Sequence, residues 1–210
     1  MAVVPGALVA AVLVAVPVML VAVPAVPVPY APTGAGVVVS PAEPASLPGL
    51  VDLVVRRLVL ADAVAAAKFG GGGPISDPAR ERELLDSVAA LSAGLGLDPE
   101  AGVRFFRAQI EASKVVQRGL HARWRAHPAL RPRETPDLAT EVRPRLDLLT
   151  PRLLRLLKQT APDRGCRTRL ALARRAAGTR ARLDGLHRDA LRLALAPVCW
   201  PAEGAKPEIE

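Results

Sequence analysis

Six polar side chains in the middle of the chain occupy positions where a helix would ordinarily bury apolar residues: Arg57, Lys68, Asp77, Arg80, Ser113 and Gln117. Arg57 and Lys68 are eleven residues apart, a net rotation of roughly 20° on an α-helix, so they share a face. Ser113 and Gln117 continue an apolar stripe at helical spacing. Three inward-facing cations with neutral hydrogen-bonding neighbours predict a pocket for a small dianion, because arginine binds carboxylates through two parallel hydrogen bonds.

The order and spacing of these residues are similar to those of a known family. The motifs are Arg57-Leu58, Ala61-Asp62, Lys68, Pro74-Ile75-Ser76-Asp77-Pro78-Ala79-Arg80-Glu81 and Gln109-Ile110-Glu111-Ala112-Ser113-Lys114 with Gln117. Jointly they resemble the all-helical AroQ class of chorismate mutase, in its secreted gamma-subclass form, from about Leu47 to Cys199. The resemblance implies an isomerase that converts chorismate to prephenate by an intramolecular Claisen rearrangement. It implies chorismate as the substrate and no cofactor.

The resemblance also implies a role for each motif residue. Arg57 matches an arginine that binds a substrate carboxylate, and Lys68 matches a lysine that donates to the ether oxygen and the enolpyruvyl carboxylate. Gln117 matches the second donor to the ether oxygen. Arg80 faces the substrate as a third catalytic group. Two acids, Asp77 and Glu81, are expected to orient the ring hydroxyl of the substrate. Ser113 matches a hydroxyl near the ring carboxylate.

The last cation of the pocket is expected from a later helix of the same chain in the secreted form. Arg143, which follows Asp137-Leu138, is the best match, although the family spacing requires one residue of slippage. Arg145 is the alternative. Structural roles compete with the catalytic ones: Asp77 could serve only as a helix N-cap, and Lys68 could serve only as a favourable charge at a helix C-terminus.

Two other functions are consistent with this sequence. An isochorismate–pyruvate lyase uses the same helical scaffold and a similar cationic pocket. A non-enzymatic helical module could instead bind an acidic partner through its basic surface, since the chain has a net charge of +8. Its arginines are scattered without aromatic interleaving and match no nucleic-acid-binding signature, so we expect no nucleic-acid partner.

The composition suits an all-α fold with about six helices in a single domain behind a signal peptide, and the resemblance implies that the helices form an AroQ-type bundle. Half of the 210 residues are apolar and 3% are aromatic. Glycine, proline and N-capping residues divide the chain into helices. The expected ranges are about Leu47–Lys68, Ser76 or Asp77 to Gly94–Gly96, Asp98 to about His127, Leu138–Gln159, Asp163–Ala177 and Arg180–Leu195.

The first 42 residues contain no charged side chain. The run Leu8–Val23, interrupted by Pro17, fits the apolar region of a signal peptide better than a membrane span. We expect a signal peptide over residues 1–35, cleaved after Ala25 or Ala35, and a secreted product without stable membrane insertion; a retained anchor is the alternative. A proline-rich linker (36–46), the mutase domain (47–199) and a C-terminal tail (200–210) follow.

The two cysteines, Cys166 and Cys199, predict one disulfide in an exported chain. The secreted mutases carry a C-terminal disulfide of this kind, and two buried free thiols are the alternative. The three histidines lack metal-ligand spacing, so we expect no metal site. A homodimer is compatible with the sequence.

Overall fold

The computed structural model describes residues 47–160 and 163–199. The chain divides into two units, Met1–Val38 and Val39–Glu210, and every described residue belongs to the second. The predicted signal peptide, the linker and the C-terminal tail lie outside the described residues, and their boundaries stay predictions. None of the helices in the described ranges is long and apolar enough to cross a membrane.

The described part of the chain is helical and contains no β-strand, which confirms the predicted fold class. Two short turns, the 3₁₀ turn Pro128–Leu130 and the π-helical turn Leu138–Val142, connect the third helix to the fourth. The α-helices are α1 (Leu47–Gly71), α2 (Pro78–Leu95), α3 (Pro99–Ala126), α4 (Arg143–Gln159), α5 (Cys166–Arg180) and α6 (Gly185–Ala194).

Aspartate-proline pairs begin α2 and α3, as predicted. The Asp77 carboxylate accepts a hydrogen bond from the Arg80 backbone N–H, and Glu81 Oε1 accepts one from the Asp77 N–H, both at 3.1 Å. This reciprocal arrangement satisfies donors that a helix N-terminus leaves free. At its other end, α2 stops at Gly96, whose φ of 68° is a left-handed conformation that glycine adopts without strain.

Several predicted boundaries were wrong. α1 continues past Lys68 to Gly71, because glycine weakens a helix without forbidding it.

α5 begins at Cys166 rather than Asp163, because the Asp163 carboxylate accepts from the Gly165 N–H and holds a turn before the helix. α5 then runs to Arg180, beyond the predicted Ala177, and α6 begins at Gly185 rather than Arg180 because Asp184 is its N-cap.

α1 lies at the centre of the bundle and packs against α3, α4, α5 and α6. Its core-facing side chains, such as Leu50 and Val54, are fully buried together with Phe105 and Phe106 of α3. Burial of each such side chain contributes about 1.5–3 kcal/mol. α2 and α3 approach closely at Gly102, where an added Cβ atom would lie 2.1 Å from Ser92 Oγ. The bundle therefore holds α1, α2, α3 and α4 in fixed positions around one cavity.

The predicted disulfide joins Cys166 to Cys199, with Cα atoms 5.7 Å apart, and this prediction is confirmed. It ties the start of α5 to the chain that follows α6. Neither cysteine lines the cavity described below.

A buried histidine links three helices. His187 of α6 contacts Asp62 of α1 through Nε2 at 2.8 Å and the N-cap residue Asp184 through Nδ1 at 2.6 Å. Arg123 of α3 pairs with the same Asp184 at 3.4 Å. The hydrogen bond to Asp62, supported by the one to Asp184, raises the pKa of His187 to about 9 although burial opposes protonation. The imidazolium thus clamps α6 to α1.

Candidate active site

A cavity of about 160 Å³ lies among α1, α2, α3, α4 and the π-helical turn. Each helix contributes residues three, four or seven positions apart, which is the spacing of a single helix face. All the residues that the sequence predicted to contact substrate line this one cavity: Arg57, Lys68, Asp77, Arg80, Glu81, Ser113, Gln117 and Arg143. The fold therefore brings them together, while their individual roles stay predictions.

Arg57 presents a buried guanidinium to the cavity. Its Nη1 atom is buried and has no hydrogen-bond partner among the described residues. The guanidinium carbon lies 5.3 Å from the centroid of the Phe106 ring, which supports it from the core side. Burial lowers the pKa of Arg57 to about 10, an effect that the Asp147 carboxylate partly opposes. The group remains charged at neutral pH, and an unsatisfied buried donor of this kind favours an anionic ligand.

Lys68 lies near the end of α1, on the same helix face as Arg57. Its Nζ atom donates a hydrogen bond of 2.7 Å to the carbonyl oxygen of Ile75, in the segment between α1 and α2. Burial lowers the pKa of Lys68, and the carboxylates of Asp77 and Glu81 act in the opposite direction. The ammonium is consequently held at the cavity wall and keeps further N–H donors for a ligand.

The first turn of α2 supplies three predicted residues. The carboxylates of Asp77 and Glu81 both satisfy backbone N–H groups of this turn, so the N-cap role suggested for Asp77 is confirmed. Arg80 pairs with Glu83 on its own helix at 2.6 Å, and the side chains of the two residues are 41% and 67% exposed. Such an exposed pair contributes little to stability, so a ligand carboxylate can replace Glu83 at low cost.

Lys114 is a cavity residue whose role the sequence analysis missed. Its side chain is 10% exposed, and its Nζ atom binds Glu81 at 2.7 Å and Glu111 at 2.8 Å. Burial opposes protonation, but the hydrogen bonds to Glu111 and Glu81 raise the pKa of Lys114 overall. The available signal was its spacing of four residues from Ile110 and three from Gln117, which places it on the cavity face of α3.

Ser113 and Gln117 are joined within α3. Gln117 Nε2 donates to Ser113 Oγ at 3.0 Å, which leaves the buried Gln117 Oε1 without a partner among the described residues. Rotation of the amide by 180° would let Oε1 accept from the serine hydroxyl instead. The amide NH₂ group would then be free to donate to a ligand, so this pair can present a neutral donor.

α4 completes the cavity with a single stripe of residues. Arg143, Leu146, Asp147 and Thr150 are spaced by three, four and seven residues and all line it. The alternative candidate Arg145 is not among the described residues that line the cavity. Asp147 was also missed by the sequence analysis, and the stripe that begins at Arg143 was the signal for it. The π-helical turn adds Leu138 and Val142.

The charges around the cavity favour a dianion. The ionisable lining residues are five cations and three carboxylates, a net charge of +2. The other walls are largely apolar side chains, which shield the charges from water and strengthen their interactions with a ligand. Within the described ranges, no group of three or more His, Cys, Asp or Glu side chains is arranged to hold a metal ion.

Comparison with known proteins identifies similar sequences and structures. The family model described as chorismate mutase type II matches residues 49–118, which include every predicted site residue except Arg143. The secreted chorismate mutase of Mycolicibacterium smegmatis is 35% identical over 170 residues, 79% of this chain and 93% of that protein. That of Mycobacterium tuberculosis is 32% identical over 155 residues, 71% of this chain and 76% of that protein. A crystal structure of chorismate mutase from Burkholderia thailandensis is 43% identical, with a TM-score of 0.70, and covers 73% of this chain and 98% of its own.

Proposed function

Because this chain belongs to the chorismate mutase family, we propose which of its residues carry the rearrangement of chorismate to prephenate. The reaction breaks the C–O bond of an ether while a C–C bond forms within the same molecule. Proton transfer and covalent attachment to the enzyme are not required. The protein must hold a flexible dianion in a reactive, chair-like shape and stabilise the negative charge that develops on the ether oxygen.

The observation that carries the proposal is the buried, unsatisfied guanidinium of Arg57 beside a cavity of net charge +2. We assign one substrate carboxylate to Arg57, whose free Nη1 donor becomes satisfied when the carboxylate binds. Arg143 and Arg80, on neighbouring walls, supply further cations for the two carboxylates. Ser113 is placed near the ring carboxylate, and its single O–H donor is assigned to the Gln117 amide rather than to the substrate. These groups belong to one chain, so the proposal does not require a partner subunit, and homodimer formation stays a prediction.

Lys68 and Gln117 are the proposed donors to the ether oxygen. Lys68 supplies a cation held in advance by its bond to the Ile75 carbonyl oxygen, so little reorganisation is needed when charge develops. Gln117 supplies a neutral donor once its amide turns. In that orientation the Ser113 hydroxyl donates a hydrogen bond to Gln117 Oε1. Asp77 and Glu81 are assigned to the ring hydroxyl, and the bond from Lys114 fixes the Glu81 carboxylate at 2.7 Å.

We also propose that the protein acts outside the cytoplasm. Two of its relatives are named secreted chorismate mutases, and the Cys166–Cys199 disulfide is typical of an oxidising compartment. The uncharged segment of residues 1–35 would serve as the signal peptide, removed on export.

The experiment that tests the assignment compares two lysines. Lys68 and Lys158 each donate to a backbone carbonyl oxygen, at 2.7 Å and 2.8 Å. Of these two lysines, Lys68 lines the cavity and Lys158 does not. Purified protein is mixed with chorismate, and prephenate formation is followed. We expect Lys68→Ala to lower kcat by about 10²–10³, the range known for removal of a donor to a developing oxyanion.

Lys158→Ala is the matched control, because it removes a similar hydrogen bond at a site remote from the cavity, and its kcat should stay near the wild-type value. Equal losses in the two variants would show that Lys68 acts only through stability. Parallel incubation with isochorismate, followed by assay for pyruvate, distinguishes the mutase from a lyase on the same scaffold.

A further inference from the structure

The α5–α6 hairpin carries most of the net charge of the protein but lies outside the candidate active site. Residues 163–199 contain nine arginines, three aspartates and no lysine, a net charge of +6 out of +8 for the chain. Among the described residues, none from α5 or α6 lines the active-site cavity. This concentration of positive charge therefore lies apart from the site assigned to the substrate dianion.

Arginines of the two helices face a shared hollow of about 460 Å³. Arg174 and Arg175 come from α5, and Arg188 and Arg192 come from one face of α6, four residues apart. In the described part of the chain, only Arg192 of these four pairs with a carboxylate, that of Asp189. Three guanidinium groups consequently lie beside the hollow without an acidic partner.

The hollow continues toward the disulfide. A second hollow of about 340 Å³ shares Arg174 and Arg192 with the first and adds Arg167, with Leu170 and Leu195 on its walls. We call the combined feature the arginine groove, defined by Arg167, Arg174, Arg175, Arg188 and Arg192. Among the described residues, Asp189 is the one carboxylate that pairs with an arginine of the groove, so the five arginines and Asp189 together have a charge of +4.

The exclusive use of arginine indicates the ligand chemistry. The planar guanidinium fork binds phosphate through two parallel hydrogen bonds and is more weakly hydrated than an ammonium group. A phosphate monoester carries a charge of about −1.5 to −2 near neutral pH, so two such groups balance a charge of this size. We propose that the arginine groove is a second anion-binding site, which binds a ligand carrying two or more phosphate groups.

Calorimetric titration with sodium triphosphate tests the proposal. The active-site cavity is also cationic, so each titration is repeated in an Arg57→Gln background, which weakens anion binding there but leaves the groove intact. We expect wild type and the Arg57→Gln variant to bind triphosphate at the groove, and binding should raise the thermal unfolding temperature. The double variant Arg174→Gln/Arg188→Gln should weaken the affinity about tenfold or more while chorismate turnover stays unchanged.

The matched control is Arg107→Gln/Arg118→Gln, which removes the same charge from two exposed positions of α3. It should change the affinity by less than about threefold, because diffuse surface charge is screened by salt. Absence of triphosphate binding, or equal weakening in the groove and control variants, would overturn the proposal.

Phosphatidylcholine vesicles with and without phosphatidylglycerol distinguish two sources of the phosphate groups. Binding to the anionic vesicles that is lost in the groove variant and kept in the control would assign the groove to lipid head groups. Triphosphate binding at the groove without vesicle binding would assign it to a soluble phosphate ligand.

Discussion

Substitution of His187 by glutamine should make the stability of this protein less dependent on pH. The imidazole lies between Asp62 and Asp184, and the side chain of His187 is only 10% exposed. Glutamine can keep neutral hydrogen bonds but cannot carry the charge. The variant therefore isolates the electrostatic part of the clamp between α1 and α6.

The magnitude follows from the pKa of about 9 for His187 against an ordinary value of 6.5. A difference of that size corresponds to at most ~3.4 kcal/mol. The carboxylate side chains of Asp62 and Asp184 are 49% and 41% exposed, and Arg123 competes for Asp184, so solvent screening reduces the value. We expect about 1–2 kcal/mol.

The sign is set by the raised pKa. Because the folded state binds the proton more tightly than the unfolded chain, the stabilisation is fully present below pH 6.5 and is lost as the pH rises through about 9. Urea unfolding of wild type and His187→Gln at pH 6, 8 and 10 measures it. The free energies of unfolding should differ by about 1–2 kcal/mol at pH 6 and by a few tenths at pH 10.

His127→Gln is the control, because His127 is exposed at the end of α3; its stability should follow the wild-type value at each pH. Since each comparison is between proteins that share all other titratable groups, those groups cancel. A difference between wild type and His187→Gln that is equally large at pH 6 and pH 10 would refute the reasoning, because the imidazolium charge would then contribute nothing.

Three further substitutions or treatments have distinct expected outcomes. Gln117→Glu requires a proton to donate, so its turnover should rise toward pH 5 while wild type stays nearly flat over pH 5–8; parallel profiles would exclude contact with the ether oxygen. Lys114→Met leaves the Glu81 carboxylate without its cation and facing a dianion, so KM for chorismate should rise about tenfold with a smaller change in kcat. Adding Glu81→Gln to this variant should restore KM. A KM that stays high in the double variant would contradict the role of the Lys114–Glu81 pair. Reduction of Cys166–Cys199 should lower the free energy of unfolding by ~2–4 kcal/mol and barely alter turnover at 25 °C, because the bond lies outside the cavity. Calorimetry and prephenate formation, with and without reductant, measure the two effects. A large loss of turnover together with the loss of stability would contradict the prediction.

Local signals in the sequence predicted the helices that surround the cavity. Asp77-Pro78 and Asp98-Pro99 combine an N-capping side chain with a residue suited to the first turn, so the starts of α2 and α3 could be predicted from four residues. Helical spacing likewise predicted that Arg57 and Lys68 share a face. These features depend on neighbours in the chain, and the sequence contains them directly.

Features that depend on distant contacts were harder to predict. The bond from Lys114 to Glu81 joins residues 33 positions apart on different helices, and its existence depends on how α2 packs against α3. The start of α6 was placed too early because Arg180, Arg182 and Arg188 are residues that favour a helix. Asp184, the N-cap of α6, pairs with Arg123 of the distant α3, and this contact helps to fix the start of α6 after Asp184.

The π-helical turn Leu138–Val142 has a consequence for how insertions and deletions are tolerated in this chain. A π turn accommodates one residue more than an α turn, so the segment between Asp137 and α4 can gain or lose a residue without rotating the helix that follows. The orientation of α4 is fixed instead from its other side, by Leu149 and Leu153 in the core. Arg143 faces the cavity because it lies on the same helix as those leucines, and its position relative to them is fixed. If a relative has an α turn at this point, counting forward from its aspartate would shift the arginine by one position, whereas superposition on the core leucines would give the correct equivalence.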